Sequence, residues 1–183
     1  MNLQENIHRI KQVMGLDEIK TKKKRALGRG QEKIAYRSTI NSDLVLKIGP
    51  YGMLMDEKER SEKYPDIYVK IFKVKHYNGD EWYSGVAIME RLDTKKFLSN
   101  FRKLEDTLES LNIDKFFMWY VNKSKERFEK AYSKSVELLE KHDTEMLDFM
   151  NKFIYCLRGV LGGDVHEWQF GIDKDGNIKC FDD

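Results

Sequence analysis

The sequence predicts a mixed α+β fold in which strands come first and helices follow. Before residue 92, short β-prone runs alternate with turn-forming residues. From Asp93 onward, apolar residues recur with the 3.6-residue period of amphipathic helices. Residues 170–181 return to strand character around the turn Asp173-Lys174-Asp175-Gly176-Asn177. We therefore expect five strands with one inserted helix, then a helical block and a terminal hairpin.

Two groups of strands are predicted before the helical block. Three strands lie within residues 26–48, where glycines and turn-forming residues separate the β-prone runs. A second pair covers residues 67–76 and 81–90, joined by Asn78-Gly79-Asp80, which can adopt the positive φ angles of a tight hairpin. The segment 52–63 between the two groups is predicted to be a short helix.

Further amphipathic helices are predicted at the N-terminus and in the second half of the chain. Their apolar stripes fall within residues 1–18, 101–111, 128–139 and 144–157. Asp143 or Thr144 is placed to cap the last of these helices, because short polar side chains can accept hydrogen bonds from the first free backbone amides. Gly159 is placed to end that helix.

The composition is that of a globular protein with enough apolar residues for a core. Of 183 residues, 40% are hydrophobic and 35% are charged. A net charge of +2 is too small to indicate a nucleic-acid or membrane partner. No run approaches the roughly 18 apolar residues of a membrane span, and Cys156 and Cys180 form no metal-binding pair. We therefore expect a cytoplasmic protein that binds neither nucleic acid nor membrane.

Glycines and an isolated lysine in the predicted sheet suggest phosphate binding. Gly28 and Gly30 lack Cβ atoms, so backbone amides beside them can approach phosphate oxygens. The third glycine of a G-x-G-x-x-G pattern is absent, and Lys33 takes its place. Lys47 interrupts the apolar strand 44–48, where a lysine usually needs a partner. A plain turn and a solvent-facing edge lysine remain the alternatives.

Two acidic residues flank the terminal hairpin. Asp164 lies in a predicted loop after Gly163, and Asp182 follows the last predicted strand. A carboxylate in a tight loop can orient an attacking hydroxyl group, and one at a strand end can hold a divalent cation. A turn-capping Asp164 and a solvated Asp182 remain the alternatives. Trp168, between the two acids, is expected to pack, and His166 is expected to brace the loop.

In their order along the chain, these motifs resemble those of the protein-kinase-like superfamily, and within it the small serine/threonine kinases encoded by phages. Residues 27–36 are similar to the glycine loop, and residues 44–48 to the strand that bears the phosphate-binding lysine. Residues 86–92 resemble the fifth strand and hinge. Residues 163–169 resemble the D-x-H-x-x-N form of the catalytic loop.

The resemblance implies a division of the chain into three segments. An N-terminal helix in residues 1–18 precedes a kinase-like N-lobe with five antiparallel strands in residues 22–92. A truncated helical C-lobe in residues 93–183 ends at the metal-binding Asp182. The resemblance thus implies that this sequence lacks the activation segment and later helices of a full kinase.

The resemblance also implies a nucleotide site. Lys47 would bind the α and β phosphates of ATP and act in catalysis. Glu59 is expected to pair with this lysine, with Glu57 and Glu62 as the alternatives. The residues over the phosphates would be Gly28 and Gly30. The adenine-binding residues would be Met89, as gatekeeper, and the backbone of Glu90 and Leu92.

In the second half of the chain, the resemblance assigns Asp164 to orient the hydroxyl group of the acceptor, and Gln169 and Asp182 to hold Mg²⁺. Gln169 stands where the family has asparagine, and its extra methylene moves the amide oxygen by about 1.5 Å. Asp183 follows Asp182 in place of phenylalanine.

The implied function is an ATP- and Mg²⁺-dependent protein serine/threonine kinase that transfers the γ-phosphate to a protein hydroxyl group. The acceptor would be a host protein in the cytoplasm of the infected cell or the chain itself, and a partner chain could complete the C-lobe. The substitution at Gln169 and the short C-lobe leave one alternative, a pseudokinase that binds nucleotide or acts as a scaffold without phosphoryl transfer.

Overall fold

The computed structural model describes residues 27–29, 33–38, 41–76, 84–113, 124–160 and 165–181. The chain divides into two compact units, Met1–Arg91 and Leu92–Asp183, each of which is described by itself. The division falls next to the boundary predicted at residue 92. The described elements confirm the mixed α+β class. The helix predicted within residues 1–18 lies outside the described residues.

An antiparallel sheet forms the framework of the first unit. Its strands are β1 (Gly28–Arg29), β2 (Ile34–Arg37), β3 (Leu44–Gly49), β4 (Ile71–His76) and β5 (Gly85–Glu90). Across the sheet the order is β1-β2-β3-β5-β4. The edge strand β1 has only two residues, so the four longer strands make up most of the sheet. Strand β3, which carries Lys47, lies between β2 and β5 and is therefore an interior strand.

Helix α1 (Tyr51–Lys63) connects β3 to β4 along the chain and confirms the short helix predicted there. Directly after it, the backbone N–H groups of Ile67 and Tyr68 both donate to the carbonyl oxygen of Tyr64, which makes a turn. Strand β4 therefore begins only at Ile71, and the prediction of a strand from residue 67 is wrong at its start. The predicted hairpin turn at residues 78–80 lies outside the described residues.

A glycine allows α1 to lie close to the sheet. Gly85 of β5 pairs with Gly49 of β3, and a Cβ atom built on Gly85 would lie 2.7 Å from the Cα atom of Tyr51. It would also lie 3.0 Å from a methyl carbon of Leu54, which is fully buried. Any larger residue at position 85 would push the first turn of α1 away from the sheet.

Three helices and a hairpin form the described part of the second unit. The helices are α2 (Thr94–Ser110), α3 (Lys125–His142) and α4 (Thr144–Gly159). They contain the three predicted apolar stripes except for Leu111, which lies directly after α2. A 3₁₀ turn (Glu167–Gln169) leads into the hairpin of β6 (Phe170–Ile172) and β7 (Ile178–Cys180). None of the helices in the described ranges is long and apolar enough to cross a membrane.

The predicted end signals of this unit are also confirmed. The side chain of Asp143 accepts a hydrogen bond of 3.0 Å from the N–H of Met146, so it caps α4, and Gly159 is the last residue of that helix. In the hairpin turn, one carboxylate oxygen of Asp173 accepts hydrogen bonds from the N–H groups of Asp175 and Asn177. The turn therefore satisfies its polar groups locally.

The core of the second unit is aromatic. Phe97 of α2 is fully buried, and its ring centre lies 5.6–5.9 Å from those of four other phenylalanines. They are Phe101, Phe149, Phe153 and Phe170. Because each comes from a different turn or element, the cluster joins α2, α4 and β6.

Candidate functional site

Lys47 forms a buried ion pair in the first unit. Its ammonium nitrogen lies 3.0 Å from each carboxylate oxygen of Glu57, and the two residues are 4% and 7% exposed. Strand β3 carries the lysine, and α1 carries the glutamate. A buried ammonium group is costly without an anion beside it, and the bidentate contact supplies one. The solvent-facing lysine considered from the sequence is therefore excluded.

The partner of Lys47 is Glu57, and the prediction of Glu59 is wrong. Leu54, Glu57 and Ser61 are the buried residues of α1, and their spacing of three and four places them on one face of the helix. Glu59 and Glu62 are both exposed. Glu57, one of the two alternatives, is the correct choice because the buried face of the helix determines which acid reaches the strand.

A second lysine contacts the same carboxylate. The ammonium nitrogen of Lys33 lies 2.6 Å from Oε1 of Glu57, and its side chain is 12% exposed. Ala35 pairs with Lys47 across β2 and β3. Since residues two apart in a strand share a face, Lys33 lies on the same face of the sheet as Lys47. The sequence analysis noted Lys33 only because it occupies the position of the third glycine in the G-x-G-x-x-G pattern.

Small and apolar residues flank Lys47 on this face of the sheet. In the register of the strands, Lys47 lies between Ala35 and Ala87, and the neighbouring pair on the same face is Val45 with Met89. Ala87, Val45 and Met89 are buried. On this face of the sheet, Lys47 therefore lies among apolar side chains, and Glu57 supplies the charge that its ammonium group needs.

The remaining predicted adenine contacts are Glu90, in the first unit, and Leu92, in the second. The backbone N–H of Glu90 donates to the carbonyl oxygen of Lys70 at 2.9 Å. Leu92 is buried in the second unit, where it packs against Gly171. Neither observation tests adenine binding, so these contacts stay predictions.

Gln169 uses its amide oxygen within its own turn. This oxygen accepts a hydrogen bond of 2.7 Å from the backbone N–H of His166, and the backbone N–H of Gln169 donates to the carbonyl oxygen of His166. Phe181, the residue before Asp182, donates its N–H to the carbonyl oxygen of Gln169 at 2.9 Å. Trp168 is 60% exposed, so the expectation that it packs is wrong: within the 3₁₀ turn its side chain points to solvent.

Three predicted site residues, Gly30, Asp164 and Asp182, lie outside the described residues. The backbone of Gly28 is described and pairs with Ala35. Within the described ranges, no group of three or more His, Cys, Asp or Glu residues could hold a metal ion. The proposed magnesium ligands therefore stay predictions.

Burial disfavours both cysteines as nucleophiles. Both are buried. Burial, followed by the neighbouring Cys180, raises the pKa of the Cys156 thiol to about 12. Because the thiolate is the reactive form, this thiol is chemically inert at neutral pH.

Comparison with known proteins adds no relative: no family model matches the sequence, and no curated protein matches it either. We therefore infer the class of protein from the geometry around Lys47 and from the order of the motifs along the chain.

Proposed function

We propose that this chain is an ATP-dependent protein serine/threonine kinase of the phage type. The observation that carries the proposal is the buried pair of Lys47 and Glu57, with the lysine on the third strand and the glutamate on the helix that follows it. In protein kinases, a lysine on the third strand binds the α and β phosphates of ATP, and a glutamate on the next helix holds that lysine in position.

The burial of this pair supports a functional role. A buried ion pair is often no more stabilising than apolar residues of similar size, since removing two charges from water offsets much of their attraction. Stability alone therefore gives little reason to place Lys47 and Glu57 inside the first unit. Binding a phosphate group does give a reason, because the ammonium group is held in place before the ligand arrives.

In the proposed mechanism, Lys47 binds the phosphates while Ala35, Val45 and Met89 accommodate the adenine ring. Asp164 accepts a hydrogen bond from the acceptor hydroxyl group and takes its proton as that oxygen bonds to the γ-phosphorus. The bond between the γ-phosphorus and the bridging oxygen breaks, and ADP leaves. Gln169 and Asp182 would hold Mg²⁺, which offsets negative charge on the phosphates.

One observation favours the alternative of a pseudokinase. The amide oxygen of Gln169, which would coordinate Mg²⁺, already accepts a hydrogen bond from the N–H of His166. A carbonyl oxygen has two lone pairs, so coordination would have to use the other one in a geometry fixed by the turn. A pseudokinase that binds nucleotide without transferring phosphate does not need Gln169 to coordinate Mg²⁺ for catalysis.

The experiment is incubation of the full chain with γ-labelled ATP and Mg²⁺, alone and with lysate proteins. We expect label to be transferred to protein by the natural chain, and Lys47→Met and Asp164→Asn to reduce transfer by at least about a hundredfold. Lys58→Met is the matched control, because Lys58 lies on α1 and pairs with Glu62, not with Glu57.

The outcomes separate the two candidate functions. Transfer that depends on Lys47 and Asp164 supports the kinase. A rise in melting temperature with ATP, without any transfer, supports the pseudokinase. The absence of both transfer and any response to nucleotide contradicts the kinase and the nucleotide-binding pseudokinase, and leaves only the scaffold.

A further inference from the structure

Lys33 occupies a position that the proposed function has not used. It contacts Oε1 of Glu57, the same oxygen atom that Lys47 contacts at 3.0 Å. The two ammonium groups are therefore neighbours, each within hydrogen-bond distance of one atom. Only 12% of the Lys33 side chain is exposed, so this is not a loose surface contact.

The sheet holds the two lysines on one face. Lys47 lies opposite Ala35, and Lys33 precedes Ala35 by two residues, directly before β2. On the other side of β2, the edge-strand residues Gly28 and Arg29 pair with Ala35 and Ile34, the two residues that follow Lys33. Lys33 of the predicted glycine loop and Lys47 of β3 thus both contact the carboxylate of Glu57.

The charges of this cluster suit an anion with several oxygen atoms. The two ammonium groups share the carboxylate of Glu57, and they repel each other. A phosphate chain can accept hydrogen bonds from both at once and lower that repulsion.

We propose that Lys33 is a second phosphate-binding residue, which contacts the polyphosphate of the nucleotide together with Lys47. This inference rests on the proposed function, since it names a further contact in the same site. Glu57 would then hold both lysines in place before the nucleotide binds. Lys33, at the position of the missing third glycine, would thereby provide a positive charge to the phosphates.

The first test measures the dissociation constants of ATP, ADP and adenosine, with Mg²⁺, by calorimetry on the full chain. We expect Lys33→Met to weaken ATP and ADP binding about 10- to 100-fold, the value of one hydrogen bond to a charged group. Binding of adenosine, which has no phosphate, should change by less than about threefold, and Lys33→Arg should retain most of the affinity for ATP. Lys58→Met again serves as the control.

The second test asks whether Lys33 acts only by positioning Glu57. If so, Lys33→Met should have no further effect on ATP affinity once Glu57→Gln has removed the shared charge. Direct contact predicts a further loss of about tenfold in that background. Should Glu57→Gln fail to fold, Glu57→Asp replaces it, because its side chain is one methylene shorter and withdraws the carboxylate from both ammonium groups. Melting without nucleotide confirms that each variant is folded.

Failure of this inference and failure of the proposed function give different results. If Lys47→Met weakens ATP binding and Lys33→Met does not, Lys33 is no phosphate ligand and the kinase proposal stands. Equal losses for ATP and adenosine would also overturn the inference, because a phosphate contact cannot act on adenosine. If the natural chain binds no ATP, both proposals are wrong.

Discussion

The two units of this chain differ in the buried groups that contact one another most closely. The first unit buries charge: Lys47 and Glu57 pair beside the central strands of the sheet. The second unit buries rings: Phe97 lies among four other phenylalanines and is fully excluded from water. In the described part of the second unit, Gln169 and Asp173 satisfy their polar groups within short turns.

This difference separates residues that stabilise the fold from residues that hold charge for a ligand. An aromatic cluster stabilises a fold through buried area and ring contacts. A buried ion pair contributes much less net stability but holds charged groups ready for a ligand. The comparison therefore predicts that the phosphate-binding lysines of the proposed function lie in the first unit, away from the aromatic cluster. The following variants test it, from the largest expected effect to the smallest.

Replacing Phe97 by alanine should have the largest effect on stability. It removes the central ring of the cluster, and we expect a loss of about 3–5 kcal/mol in the free energy of unfolding, measured by urea denaturation. Phe72→Ala is the control, because Phe72 is 48% exposed and should cost no more than about 0.5 kcal/mol. Equal losses for the two variants would contradict a core centred on Phe97.

Glu57→Ala should destabilise the first unit by about 3 kcal/mol, because it leaves buried ammonium groups without their shared carboxylate. Urea denaturation followed by hydrogen exchange of peptides from each unit would locate the loss. Glu59→Ala is the matched control on the same helix and should cost little, since Glu59 is exposed. The double variant Lys47→Met with Glu57→Leu should recover part of the stability. A larger loss in the double variant would show that the pair stabilises the fold outright.

Asp143→Ala should cost about 1 kcal/mol, the usual contribution of a helix N-cap. Its side chain accepts the N–H of Met146 and so satisfies one free amide at the start of α4. Thermal melting measures the effect, and Thr144→Ala is the control at the adjacent residue. If Thr144→Ala cost more, the assignment of the cap to Asp143 would be wrong.

Glu105→Gln should give the smallest effect, and its sign depends on pH. Partial burial, then the charges of Glu167 and Asp106, raise the pKa of the Glu105 carboxyl group. A raised pKa in the folded state means that this group favours folding at low pH and loses that contribution as the pH rises through the folded-state pKa. At pH 7 the variant should therefore be more stable by a few tenths of a kcal/mol, the scale of exposed charge interactions. The gain should vanish near pH 4, and a constant gain would contradict the electrostatic cause.

Sequence patterns predicted the elements whose cause is local. The helical stripes, the cap at Asp143 and the turn after Asp173 depend on residues a few positions apart, and all three are present. The start of β4 was predicted too early because backbone hydrogen bonds form the turn at Tyr64, and the side chains there do not indicate them.

The site was less predictable because it depends on contacts between distant segments. Glu57, Glu59 and Glu62 are equivalent by charge and propensity, and only the packing of α1 on the sheet selects Glu57. Likewise, nothing local reveals that Lys33 reaches a helix 24 residues later. If the pairing of β2 with β3 had been predicted from the sequence, its register would have placed Lys33 on the same face of the sheet as Lys47. The roles of Asp164 and Asp182 stay predictions.

The close fit at Gly85 also has an evolutionary consequence. The height of α1 above β5 determines whether the carboxylate of Glu57 reaches Lys47, and that height is set where Gly85 meets Tyr51 and Leu54. Among descendants of this sequence, position 85 and these two helix positions are therefore expected to change together, with a larger side chain at one accompanied by a smaller one at another. A residue without any functional group would thus constrain substitution as strongly as the charged residues that it brings into contact.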